Sequence, residues 1–422
     1  MTERDLDVVV LGASSVTGRR VAGYLADRAA ETGAGWAAAG RDRTKVDRVL
    51  GEEGCSAPET IVADVGDPDS LRSMAARARV VLNLVGPYTL NGGPVIEACV
   101  GEGAHYVDLT GEIPFVGRMI AEFDARAAKQ GVKVVQVCGF EALPPDLAVQ
   151  LAAEAAVERW GDQLADTELV VTTDRVPMPP RPSDWISGGT FQSIAAAASD
   201  DDAAALSDPA CLVEDPERAQ AIRRCSPISL APRRDSQGRV IAPMAPAGFI
   251  NPAVIQRTAA LVAAENGGDA RPFRYREGMA IAGPAVTLPL RFAAAGLLAA
   301  PQAAFLRIGT ASPLVRARAG RALARVLPSS GYGPAADRLE AWHWRMSLAA
   351  RTRDDNEVGV EVEGRGHPGY LATARMLGEA GLLLAEDGAT PERSGCLTPA
   401  TALGTAHADR FERAGLSFSV SG

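Results

Sequence analysis

The sequence predicts an α/β chain: an N-terminal doubly wound parallel sheet, then an α+β region built on an antiparallel or mixed sheet. Three observations carry that expectation. Strand and helix patterns alternate with short connections through residues 1–140. A glycine-containing turn joins the first apolar strand to the first helix, the setting in which such a turn carries weight. After Phe140 the texture changes to long helices, a proline-rich connection and a late hairpin pattern.

Taken in order, Val8–Leu11 is a continuous apolar strand, and Gly12-Ala13-Ser14-Ser15-Val16-Thr17-Gly18 turns it into a helix through Tyr24 and Leu25. Trp36–Ala39 is the second strand, ending in Gly40-Arg41. Thr60–Val62 is the third; it leads to Asp64-Val65 and a helix over Pro68–Ala78 that opens in an acidic turn. Val80–Leu84 is uninterruptedly apolar, the pattern of a parallel strand buried on both faces. A helix over Gly93–Glu102, a strand over Ala104–Asp108 and a helix over Pro114–Gln130 follow, the last with Phe115, Met119, Ile120 and Phe123 on one side. Gly131 ends that helix, and Val132–Val137 is the next strand.

In the second half, Leu147–Trp160 predicts a helix, Glu168–Thr173 a strand and Pro177–Pro182 a connection, while residues 195–240 predict mobile surface helices and loops. The most apolar stretch, 278–306, is interrupted by Pro284, Pro289, Arg291 and Pro301. Crossing a bilayer takes about 20 largely apolar residues, so a buried helix is expected, with a channel wall or a peripheral membrane patch as the alternative. Trp342–Arg353 and Glu357–Gly364 flank Asp354-Asp355-Asn356, and the alternation of Val358, Val360 and Val362 predicts an antiparallel hairpin. Helices over Tyr370–Glu386 and Thr398–Gly415 and a strand over Leu416–Val420 complete the chain. The expected division is 1–140, a dinucleotide-binding domain; 141–369, a substrate and dimerisation domain; and 370–422, helices and a short strand packing back on the first domain.

Composition narrows the function. A chain of 422 residues with 47% hydrophobic content can bury a large core, and a net charge of −9 argues against nucleic acid as a partner. The six cysteines are scattered without a CxxC pair, and the four histidines lie far apart, so no metal site is expected. The start MTERDLDVVV runs straight into a strand without a signal peptide, which predicts a cytoplasmic location.

The opening unit carries the chemistry. Small residues in the turn let a pyrophosphate approach the backbone, where the helix N-terminus favours an anion. Gly12, Ser14, Ser15, Val16, Thr17 and Gly18 are the candidate contacts. An NAD site usually places Asp or Glu at the end of the second strand; here Ala39-Gly40-Arg41-Asp42-Arg43-Thr44-Lys45 stands there. Arg41 can fork onto a 2′-phosphate with Lys45 as a second cation, favouring NADP(H), although Asp42 is placed to neutralise Arg41. A second basic element, Arg316, Arg318, Arg321 and Arg325 on one predicted helix, is either a docking face for an acidic carrier or anionic headgroup, or a solvated face.

Several segments together resemble the saccharopine dehydrogenase-like oxidoreductases, in particular the branch of bacterial trans-acting enoyl reductases. They are GASSVTGRRVAGYL (12–25), AGRDRTKV (39–46), LNLVGPYTLNGGPVIEAC (82–99), HYVDLTGE (105–112), GFEALPPDLA (139–148), SGGTFQS (187–193), FRYREGM (273–279), VEGRGHPGYLATARMLGEAGLLL (362–384) and GCLTPATALG (395–404). Ser15 departs from the pattern, standing where the family's turn carries its middle glycine. The resemblance implies a Rossmann domain holding NADPH along the carboxyl edge of its sheet. Val85, Gly86 and Pro87 would pass beneath the nicotinamide, and Asp64 and Val65 would flank the adenine, a helix-capping role being the other reading of Asp64. It also implies reduction of a C=C bond in an enoyl thioester, a polyketide or lipid acyl chain on CoA or an acyl-carrier protein, supplied in trans by a polyketide synthase. Hydride addition at the β-carbon sends charge to the thioester oxygen, which calls for a hydrogen-bond donor. Tyr88 is the first candidate and Tyr106 the second; Asp108 and Glu112 either orient a water or donor or serve as caps. Reduction of an imine is the alternative chemistry, a non-catalytic NADPH-binding lipid-surface protein the alternative class, and a homodimer a further expectation.

Overall fold

The apolar runs of the first third become a seven-stranded parallel sheet in the order β3-β2-β1-β4-β5-β6-β13. The computed structural model describes residues 4–179, 181, 200–235, 237–268, 270–326 and 334–422. Its strands are β1 (Leu6–Leu11), β2 (Trp36–Gly40), β3 (Thr60–Val62), β4 (Ala78–Asn83), β5 (His105–Asp108), β6 (Lys133–Val135) and, from far along the chain, β13 (Gly395–Leu397). β1 lies at the centre, with Val8 opposite Trp36 of β2 on one side and Val80 of β4 on the other. Chain order reverses at β1, so the loops leaving β1 and β4 diverge and open a crevice at the carboxyl edge. α1 (Gly18–Thr32), α2 (Arg43–Glu52), α3 (Pro68–Arg77), α4 (Tyr88–Glu102) and α5 (Ile113–Gln130) cover the faces.

Two helices begin earlier than their sequences predict. α4 starts at Tyr88 rather than Gly93, because the Glu112 carboxylate accepts from the N–H groups of Tyr88 and Thr89 and so supplies a cap from another element. α6 (Leu143–Trp160) starts four residues before Leu147, with Pro144 and Pro145 in its first turn. Proline is tolerated there because those N–H groups have no intrahelical partner.

A second sheet runs β14-β12-β11-β7-β10-β9-β8. It consists of β7 (Leu164–Arg175), β8 (Arg233–Arg234), β9 (Val240–Ala242), β10 (Arg274–Ile281), β11 (His343–Thr352), β12 (Glu357–Arg365) and β14 (Leu416–Ser421). β7 and β10 pair in parallel and the other neighbours antiparallel, so this sheet is mixed. Trp344, Met346, Leu348, Val358, Val360 and Val362 line its buried face and pack with Leu147 and Ala148 of α6 in one hydrophobic core. The expected hairpin is present, and Asp355 turns it with φ +62°.

The C-terminal segment serves both sheets. α11 (Thr373–Ala385) packs closely on both α1 and the first sheet: a Cβ at Gly378 would meet the Tyr24 ring of α1 at 2.5 Å, and one at Gly381 the Leu82 side chain of β4 at 3.0 Å. β13 pairs with β6, and β14 with β12. A single helix over Thr398–Gly415 is not formed: α12 spans Pro399–Leu403, stops at Gly404 (φ +68°), and a 3-10 turn covers Ala408–Ala414. Asp146 of α6 accepts from the Thr258 hydroxyl (2.6 Å) and the Ala400 N–H (2.8 Å), tying α6, α8 (Ala247–Glu265) and α12 together.

Residues 195–240 contain α7 (Pro216–Cys225) and a 3-10 turn over Ala203–Ser207; residues 195–199, with the matched stretch 187–193, lie outside the described residues. The apolar stretch corrects an expectation. α9 (Leu288–Gly309) is not buried: it packs one face on β9 and the 203–207 turn and leaves the other to solvent, with α10 (Pro313–Val326) beside it.

Candidate cofactor and active site

The β1–α1 turn is built for close backbone approach. Gly12 has φ +84°, and a Cβ there would come within 3.0 Å of the Leu84 carbonyl carbon. A Cβ on Gly18 would stand 2.2 Å from the Gly12 carbonyl oxygen, so side chains at either position would force the turn open. Ser15 has taken over a capping role: its hydroxyl accepts from the Gly18 N–H at 2.9 Å, while Thr17, the residue before the helix, makes no side-chain cap bond. The Ser15 proton remains available to donate. Among the described residues, the N–H groups of Ser14, Val16 and Thr17 make no hydrogen bond, which leaves donors clustered at the start of α1. This cradle fits a pyrophosphate.

At the end of β2, Arg41 is exposed and makes no hydrogen bond or ion pair among the described residues. Asp42 does not neutralise it, because the Asp42 carboxylate caps α2 by accepting from the Lys45 N–H at 3.0 Å. Arg41 and the exposed Lys45 are therefore free for a 2′-phosphate. Asp64 is not a helix cap; α3 is capped by Asp67, and the Asp64 carboxylate closes its own turn onto the Gly66 N–H at 2.9 Å. Val65 is half-buried against the sheet core.

On the other side of β1 a buried polar network fixes the loops. Asn83, the last residue of β4, accepts from the Val85 N–H (3.0 Å) and donates to the Tyr106 hydroxyl (3.1 Å). Tyr106 donates to Asp108 (2.9 Å), whose other oxygen accepts from the N–H groups of Thr110 (3.0 Å) and Val137 (3.2 Å). The Tyr88 hydroxyl donates to the Asn83 carbonyl at 3.2 Å, and Asn91 donates to the Gly86 carbonyl at 3.2 Å. The Gly86–Pro87 peptide is cis.

These partners change what the four catalytic candidates can do. Tyr88, Tyr106, Asp108 and Glu112 are all buried, and none holds a free donor toward the crevice. Burial pushes Asp108 up to about 7, and burial with the neighbouring Asp108 carboxylate raises both tyrosines far from ionisation. Glu112 caps α4, and Thr110 accepts the Glu112 N–H at 3.1 Å. The group is a frame holding the loops 85–87 and 109–112. His105, at the start of β5, is packed, accepting the Lys133 N–H at 3.1 Å, with its pKa lowered to about 4 by burial.

A second group escaped the sequence reading. In the loop after β6, Val137 adopts φ +60°, an unusual state for a β-branched residue, held by the bond from its N–H to Asp108. Beyond it, Glu141 is half-buried, and among the described residues its carboxylate is hydrogen-bonded only to its own N–H. Its pKa is raised by desolvation. Asn251 of α8 donates both to the Glu141 carbonyl (2.5 Å) and to buried Glu277 (2.8 Å), which Tyr275 also contacts. Burial raises Glu277 to about 7, and its second oxygen has no partner among the described residues. The signal for this group lay in GFEALPPDLA and FRYREGM, which hold Glu141 and Glu277, but only the fold brings them together.

The saccharopine dehydrogenase NADP-binding domain family matches residues 8–135. A trans-acting enoyl reductase of Mycobacterium ulcerans is 33% identical over 99% of this chain and 98% of its own length. A second, of Mycobacterium leprae, is 32% identical over 98% of this chain and 97% of its own. In fold, the chain is similar to apo saccharopine dehydrogenase (L-Glu forming) of Saccharomyces cerevisiae, with a TM-score of 0.50 at 14% identity, over 98% of this chain and 99% of that one. The cradle, the free Arg41 and these similarities agree: the chain belongs to the saccharopine dehydrogenase-like oxidoreductases, in the trans-acting enoyl reductase branch, and is an NADPH-dependent reductase.

Proposed function

We propose that the chain reduces the C=C bond of an enoyl thioester, an extended apolar acyl chain presented on CoA or on an acyl-carrier protein of a separate polyketide synthase. One observation carries this choice over imine reduction. The segments that follow β4, β5 and β6 at the carboxyl edge, residues 85–91, 109–112 and 136–142, contain no Lys or Arg. An imine formed from an amine and a keto acid brings carboxylates that need fixed cations. An acyl thioester does not.

Bound NADPH supplies the hydride. Gly12 and Gly18 admit its pyrophosphate, the N–H groups of Ser14, Val16 and Thr17 bind it, and Arg41 with Lys45 selects the 2′-phosphate. The network from Asn83 to Asp108 holds Val85, Gly86 and Pro87 rigid, so that the reacting carbon meets a fixed surface. Tyr88, Tyr106, Asp108 and Glu112 act as positioning residues. Glu141 is the proton source for the α-carbon: it is half-buried, without a neighbouring cation in its loop, and held protonated more readily than an ordinary glutamate.

NADPH oxidation measured with enoyl-CoA, enoyl-carrier and keto acid–amine pairs tests the reading. Turnover is expected with the enoyl thioesters, and Glu141→Gln should lower kcat by about 100-fold or more with NADPH affinity unchanged. Turnover confined to the keto acid–amine pairs would overturn the substrate class, and full activity in the Gln variant would remove Glu141 from the chemistry.

A further inference from the structure

α9 is apolar apart from Arg291, Gln302 and Arg307, and a helix of that kind is normally enclosed. Its inner face is anchored: Ala295 packs with Val240 and Ala242, the Phe305 ring lies 5.6 Å from Phe249, and a Cβ on Gly309 would strike the Ala203 carbonyl at 2.8 Å. Its outer face is bare. Leu290, Ala293, Ala294, Leu297, Ala300 and Ala304 recur at helical spacing and are exposed, Leu290 at 72% and Leu297 at 77%. From 290 to 304 that face is about 20 Å long at the usual helical rise. Leu314 and Val315, at the start of α10, extend it.

Charge identifies the occupant. Residues 278–326 contain six arginines and no Asp or Glu, within a chain of net charge −9. Arg316 is used internally, by the Ala311 carbonyl and Asp201. Arg307, Arg318 and Arg321 are exposed and make no ion pair among the described residues. A second copy meeting this face by two-fold symmetry would set arginine against arginine with no acid on either helix to pair them. An acidic carrier protein would pair the arginines but leave the four-turn apolar face of α9 unused.

We infer that α9 and α10 form a docking surface for an anionic lipid bilayer. α9 lies along the interface with its leucines and alanines among the acyl chains, while Arg307, Arg318 and Arg321 meet the headgroups. Because the inner face of α9 is bonded into the fold, the helix rests on the membrane rather than crossing it. This inference is independent of the reaction proposed above.

Co-sedimentation of the full chain with vesicles tests it. The protein should pellet with vesicles of phosphatidylcholine and phosphatidylglycerol in equal parts, and at least tenfold less with phosphatidylcholine alone. Leu290→Glu with Leu297→Glu should abolish pelleting. Arg318→Ala with Arg321→Ala should weaken binding to the anionic vesicles by about tenfold or more and reduce its dependence on salt. Each variant should keep wild-type NADPH affinity, which reports that it is folded. Failure of wild type to pellet with either vesicle overturns the inference, as does equal pelleting by the leucine variant. A wild-type dimer that the leucine variant splits, with no vesicle binding, makes a second copy the occupant and also overturns it. So does loss of carrier-bound turnover in Arg318→Glu with Arg321→Glu when vesicle binding is unaltered.

Discussion

Arg41 owes its freedom to its neighbour. Had Asp42 turned toward Arg41, the two would have neutralised each other; instead Asp42 is held by the Lys45 N–H as the cap of α2. Arg41→Ala should therefore weaken NADPH binding about 10–100-fold, the cost of a charge-assisted bond to phosphate, and leave NADH binding nearly unchanged. Titration of cofactor fluorescence measures both affinities, and a parallel fall in the two would sink the phosphate role. Ser15 shows the same economy. Ser15→Ala removes the bond to the Gly18 N–H and should lower stability by about 1 kcal/mol in urea unfolding, whereas Ser15→Gly should cost a few tenths. The turn and Arg41 were legible because each follows a strand end. The inward hydroxyls of Tyr88 and Tyr106 were not, since the network that holds them is closed by Asn83 of β4 donating across to Tyr106 of β5, a pairing that sequence does not reveal. Part of it was readable: Tyr106 and Asp108 are two apart in one strand, and so share a face.

Elements were legible where their ends are local. Gly131 ends α5 with φ +69°, as the glycine suggests, and β3 falls on Thr60–Val62. They were obscure where an end is made by a distant residue. α4 begins at Tyr88 only because Glu112, from the next crossover, reaches its first two N–H groups. Glu112→Gln keeps one acceptor and loses the charge at that helix N-terminus, so it should lower unfolding free energy by about 1 kcal/mol. It should also lower kcat with little change in KM for the thioester, because the loop carrying Gly86 and Pro87 leads directly into α4. A proportionate change in KM alone would show that the cap does not set the loop. α9 was misjudged for a different reason. Apolar composition shows that a helix wants a cover, but not whether the cover belongs to the same chain.

At the scale of the whole molecule, the two sheets are joined by buried polar groups as well as by a shared core. Asp108 ends β5 of the first sheet, Asp146 lies at the junction of α6, α8 and α12, and Glu277 is on the second sheet. Burial pushes each of them up to about 7, well above the ordinary carboxylate range. The native state thus binds these protons more tightly than the unfolded chain does. Between about pH 4 and 7 it holds more protons, so this contribution to stability falls as pH rises through that window and is level below it. Surface carboxylates such as exposed Asp5 and half-buried Glu59, lowered by bonds to Arg77, act in the opposite sense but are screened by solvent. A variant separates the two effects. Asp146→Asn removes one titrating group while an amide oxygen can still accept the Ala400 N–H. Urea unfolding at pH 5 and pH 8 should show wild type losing more stability than the variant across that interval, by on the order of 1–4 kcal/mol. The same pH dependence in both proteins would mean that Asp146 is ionised throughout, with its two hydrogen bonds outweighing its burial.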